Sequence, residues 1–142
     1  MTNTGHVVST DLPNRMGGRD LAPQPVELLM SSLIGCTQAT ALFVARNMKP
    51  DRLLIDRMEF DLKGTRDERG ALSLPIEESP TIPSRLQLVS GTVKVFLVNG
   101  KEISDESMDL LKEQTELRCP VANMIVSSGC KMDVTWIDGS KL

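Results

Sequence analysis

Residues 25–48 read PVELLMSSLIGCTQATALFVARNM, and no charged side chain falls between Glu27 and Arg46. Pro25 suits the first position of a helix, because the N–H it lacks would be unpaired there anyway. The run that follows is apolar or small almost all round. That pattern belongs to a helix covered on every side or to one that spans a membrane. Ser31, Ser32, Thr37, Gln38 and Thr40 dilute it, and no other stretch resembles a span. The expectation is therefore a core helix and no membrane. In so small a chain, a sheet on one side and a second subunit on the other would cover such a helix.

Upstream, His6–Thr10 is a β-like run that ends at the turn signal Asp11-Leu12-Pro13-Asn14. Gly17-Gly18-Arg19-Asp20 and Pro23 read as loop. Downstream, Leu53–Lys63 alternates, with Leu54, Met58, Phe60 and Leu62 on one face and Arg57, Glu59, Asp61 and Lys63 on the other. This predicts a strand with one face in the core, Asp56 being the exception on the apolar side. Gly64–Arg85 holds Pro75, Pro80 and Pro83 and is irregular, with either a short strand or a flap inside it. Leu86–Val98 is strand-like, and Asn99-Gly100 is a turn signal. Ser104 N-caps a helix to about Leu117, with Asp105 and Glu106 in its first turn and Met108, Leu111 and Thr115 on one stripe. Cys119-Pro120 interrupts it. Pro120 opens a short helix closed by Gly129, and Lys131–Ile137 alternates as a last strand. There are no repeats, and residues 1–142 read as one domain.

The composition narrows the chemistry. The chain has 142 residues, 16 basic against 19 acidic, for a net charge of −3. This does not fit a phosphate-binding surface, and three Phe, one Trp and no Tyr make no stacking platform. The one histidine, His6, makes a Ser-His-Asp triad improbable. Three cysteines without a CxxC pair make a poor zinc set, and no metal is expected. Cys36, Cys119 and Cys130 are too widely spaced for a secreted disulfide framework. MTNTGHVVST has no charged region followed by an apolar run, so no secretory signal is expected. The expected compartment is the reducing cytoplasm.

Each cysteine has a bland reading and a chemical one. Cys36 lies mid-helix beside Gly35 and Thr37, as a small core residue or a reactive thiol. With Pro120 at N1, Cys119 is the N-cap of the next helix, where free N–H groups and the helix dipole favour a thiolate. Arg118 adds a neighbouring positive charge; the bland reading is an incidental break between helices. Cys130 shares parity with Met132, Val134 and Trp136, and reads as core.

Two stretches resemble the osmotically inducible protein C (OsmC) family, which includes the organic hydroperoxide resistance proteins. Pro25-Val26-Glu27-Leu28-Leu29 through Leu33-Ile34-Gly35-Cys36-Thr37 is similar to its P-x-E-L-L…L-x-G-C-T signature. Arg118-Cys119-Pro120-Val121 is similar to its K-C-P-V segment. The pair in this order is more specific than either alone. The resemblance implies an α+β fold with antiparallel sheets and a long buried central helix, in an intertwined homodimer. It implies a thiol peroxidase for organic hydroperoxides, with Cys36 attacking the peroxide and Cys119 closing a disulfide on it. A dithiol, lipoyl-linked in some members, then reduces the bridge, and neither metal nor organic cofactor is needed.

The peroxidase branches also use an Arg held by a Glu directly after the Pro. Here that place is Val26, and Glu27 follows it. At about 100° per residue, Glu27 and Cys36 fall on opposite helix faces. Arg15 and Arg19 are the arginines ahead of the helix, each either a catalytic partner or a solvated loop charge. The runner-up function is a non-catalytic dimer of the same fold that binds a small apolar ligand or senses redox state.

Overall fold

The computed structural model describes residues 4–142. Its elements are α1 (Pro25–Asn47), β1 (Ile55–Thr65), α2 (Arg69–Leu72), β2 (Leu88–Leu97), α3 (Asp105–Arg118), α4 (Pro120–Ser127) and β3 (Lys131–Asp138). Single 3₁₀ turns cover Asn14–Met16, Val98–Gly100 and Gly139–Lys141. This is an α+β fold.

The sheet is mixed, not antiparallel throughout. Its order is β1-β2-β3, with β1 antiparallel to β2 and β2 parallel to β3. Parallel neighbours need a long crossover. Here α3 and α4 supply it, returning the chain to the sheet in its original direction.

In β1, Met58, Phe60 and Leu62 turn toward the core, as the alternation predicts. The register slips between Ile55 and Arg57. This bulge takes up Asp56 and switches the parity, so Ile55 packs on the core while Leu54 is exposed. The β-like run His6–Thr10 forms no strand: it has no regular structure, and Val7 and Val8 are exposed. Gly64–Arg85 holds one turn of helix, α2, and β1 extends into its start.

The core joins Leu33, Ala41, Val44 and Ala45 of α1 to Val89, Val93 and Val95 of β2 and to apolar residues of α3, α4 and β3. α1 is long and apolar enough to cross a membrane by length and composition. In the fold it packs on α3, α4 and β1. The single chain buries only part of α1, on the side that meets the sheet and the other helices. Ser32, Gly35, Ala39 and Phe43 form an exposed stripe, with Phe43 61% accessible. No element among the described residues covers that side.

Candidate active site

Pro120 has no N–H to continue α3, and its fixed φ opens α4. Cys119 therefore serves both helices. Its N–H donates to the Thr115 carbonyl at 2.9 Å, and its Sγ accepts from the Ala122 N–H at 3.4 Å. The side chain is fully buried. The residues 119–122 thus fix the sulfur at the start of α4, as the sequence predicts.

Cys36 reaches the same place from α1, where it is half-buried and its carbonyl accepts from Thr40 Oγ1 at 2.8 Å. Its thiol is close enough to the Cys119 thiol to raise it. The next residue, Thr37, puts its hydroxyl 3.9 Å from Cys119 Sγ. Thus the fold joins two cysteines 83 residues apart in sequence, while all three thiols are free.

The electrostatics differ from the sequence expectation for Cys119. Burial pushes its thiol up, and the neighbouring Cys36 adds to this. The Ala122 N–H and the Thr37 hydroxyl act the other way, as an N-cap should, but burial outweighs them. Arg118 is exposed, with its guanidinium donating to Gln114 rather than facing the thiol.

The remaining charged candidates sit as follows. Glu27 closes a capping box, its carboxylate accepting from the Gln24 N–H at 2.8 Å. Arg15 pairs with Glu68 at 3.3 Å. The backbone N–H of Arg19 donates to Asp11, while its side chain makes no ion pair among the described residues. No hydrogen bond or ion pair joins any of these three to Cys36 or Cys119. Cys130 is buried at the start of β3 beside Val134 and Trp136, as its parity predicts. No group of three or more His, Cys, Asp or Glu that could hold a metal occurs among the described residues.

Sequence reasoning gave two residues of this site no chemical role, although it placed Thr115 on the inward stripe of α3. Thr37 stands next to Cys36 in the motif, but only the fold turns its hydroxyl to Cys119. Thr115 is fully buried, and its hydroxyl has no hydrogen-bond partner among the described residues. With Thr37 and Glu116 it lines a cavity of about 20 Å³. Burial raises the Glu116 carboxyl, against the pull of Lys112.

The arrangement is a capped cysteine with a helix cysteine as its neighbour. A family model described as OsmC-like protein matches residues 17–135. The chain belongs to the OsmC-like family. Solved OsmC-like structures share its fold. An osmotic stress induced and detoxification response protein of Psychrobacter arcticus, so named provisionally, is 21% identical with a TM-score of 0.69, over 96% of this chain and 83% of that one. An organic hydroperoxide resistance protein OsmC of Legionella pneumophila is 15% identical with a TM-score of 0.66, over 95% and 84%. An OsmC-like protein of unknown function from Vibrio cholerae is 13% identical with a TM-score of 0.69, over 94% and 80%. No curated protein matches this OsmC-like chain.

Proposed function

We propose that this protein is a thiol peroxidase that reduces organic hydroperoxides. The observation that carries the reading is the nearness of the Cys36 and Cys119 thiols. In the proposed cycle, the Cys36 thiolate attacks one oxygen of the O–O bond. That bond breaks, the alkoxide leaves and takes a proton to become the alcohol, and Cys36 becomes a sulfenic acid. Cys119, as thiolate, then attacks the Cys36 sulfur, and hydroxide leaves as water after gaining a proton. An external dithiol returns the Cys36–Cys119 disulfide to two thiols by exchange. The half-buried setting of Cys36 suits an alkyl peroxide, and three free cysteines suit a reducing cytoplasm.

Arg15, Arg19 and Glu27 are the charged residues we carry forward as partners for Cys36. Arg15 is engaged by Glu68 and Glu27 by the helix cap. Arg15→Gln, Arg19→Gln and Glu27→Gln, each compared for turnover, sort them. We also assign the exposed stripe of α1, from Ser32 to Phe43, to a homodimer contact.

The deciding experiment is consumption of an alkyl hydroperoxide with a dithiol reductant. Wild type is expected to turn over well above free thiol, Cys36→Ser to lose turnover, and Cys119→Ser to accumulate sulfenic acid. Turnover by wild type no faster than free thiol would overturn the reading. A second reading, a non-catalytic binder of the same fold, is favoured by the raised Cys119 thiol and by the lack, among the described residues, of a cation paired to either sulfur. It predicts that same negative result in a folded protein.

A further inference from the structure

A second cavity, of about 360 Å³, opens between the start of α1 and α4. Its apolar walls include Val26 and Leu29 of α1 and Val121 and Met124 of α4, and two arginines, Arg66 and Arg85, line it as well. No carboxylate side chain lines it. Val26 is ten residues from Cys36, about 15 Å along the helix axis, and Val121 is two residues past Cys119, but neither cysteine lines the cavity.

The two arginines are half-buried and lack acidic partners. Neither forms an ion pair among the described residues. Among the described residues Arg66 makes no side-chain hydrogen bond, and Arg85 makes one, to the Leu86 carbonyl at 3.1 Å. Arg85 lies over the end of α4, where Gly129 has φ +89 and an added Cβ would come within 2.8 Å of the guanidinium. A helix C-terminus favours a cation, which accounts for where Arg85 lies. It does not account for Arg66, a second positive charge in the same cavity.

We propose that this cavity binds an amphipathic carboxylate. The acid group would be held by Arg66 and Arg85, and an aliphatic tail would lie between Val26, Leu29, Val121 and Met124. Guanidinium and carboxylate match as paired donors and acceptors. The volume is that of a small-molecule site, with apolar walls and a few polar anchors. A bound carboxylate also relieves the repulsion of two uncompensated cations. This site depends on neither cysteine, so it stands or falls apart from the peroxidase reading.

The test is calorimetric titration of the full reduced chain with decanoate and with decanol, its neutral counterpart. Saturable decanoate binding at least tenfold tighter than decanol is expected, with about tenfold loss in Arg66→Gln and in Arg85→Gln. Val26→Glu places a carboxylate inside the cavity and is expected to abolish binding. Unchanged melting curves show that these variants are folded; if Arg85→Gln is not, Arg66→Gln and Arg66→Lys decide, with Lys keeping the charge but losing the paired donors. Equal binding of decanol, unchanged affinity in Arg66→Gln, or no saturable decanoate binding because a second copy covers the face would each overturn the proposal.

Discussion

The hydroxyl of Thr37 lies 3.9 Å from the sulfur of Cys119, one residue along α1 from the other cysteine. Its effect is to lower the Cys119 thiol, against burial, which raises it. Thr37→Val removes that help without removing either sulfur. Cys119 then ionises less readily, while Cys36 keeps its own environment. On the proposed mechanism, the first step keeps its rate and disulfide closure slows several-fold. Rapid-mixing kinetics with a sulfenic-acid trap check this: trapped Cys36 should rise in the variant. Equal trapping would mean that the hydroxyl has no part in closing the bridge.

Alkaline pH should destabilise the reduced protein. Burial raises the thiols of Cys119 and Cys130 above their ordinary value of 9.0, despite the lowering by the Ala122 N–H at Cys119 and by Arg85 at Cys130. A group whose pKa is higher folded than unfolded binds protons more tightly in the native state. Its contribution is complete below pH 9.0 and is lost as pH rises through the folded values. The chain has no Tyr to confuse this range, and lysines titrate higher. Urea midpoints under reducing conditions should hold from pH 7 to about 8.5 and then fall. In Cys119→Ala/Cys130→Ala the fall should be shallower.

Thr115 offers a test of buried polarity beside the thiols. Its hydroxyl is buried without a partner, while its carbonyl accepts from the Cys119 N–H. Thr115→Val exchanges that hydroxyl for a methyl group and leaves the backbone bond in place. Removing an unsatisfied buried hydroxyl is expected to leave stability unchanged or raise it by about 1 kcal/mol. Equilibrium unfolding measures it. A loss of more than about 1 kcal/mol would show that the hydroxyl has a partner in solution.

Much of this was legible in the chain, and the failures have physical causes. The caps did best, because Ser104, Cys119 and Pro120 act through bonds to residues within four positions. The β1 alternation held from Met58 onward, but a bulge at Asp56 reversed its parity, which a strict period of two does not anticipate. The direction of β3 is a sharper lesson. Two helices were expected between β2 and β3, and a connection of that length leaves room for a parallel return as well as an antiparallel one. The antiparallel expectation came from the family resemblance instead. For the site, the motifs held Cys36, Thr37 and Cys119, but not the approach of the Thr37 hydroxyl to Cys119 or the dominance of burial over the helix end. Those depend on how α1 packs against α3 and α4, which spacing does not encode.

The exposed stripe of α1 gives the last prediction. Gly35 sits mid-helix, and a Cβ added there would meet nothing within 4 Å in its own chain. Glycine costs a helix interior about 1 kcal/mol relative to a good helix former. Gly35→Glu should therefore leave an isolated chain equally stable or slightly more so. If a second copy packs its own α1 against Ser32, Gly35, Ala39 and Phe43, the same change puts a charge into a close helix contact, opposite its own symmetry mate. The expected result is a wild type with the mass of a dimer and a Gly35→Glu variant that dissociates at micromolar concentration, its helical circular dichroism retained. Sedimentation of both, over a range of concentrations, measures this. A variant that stays dimeric would move the interface off this face of α1, and a monomeric wild type would leave the stripe to some other cover.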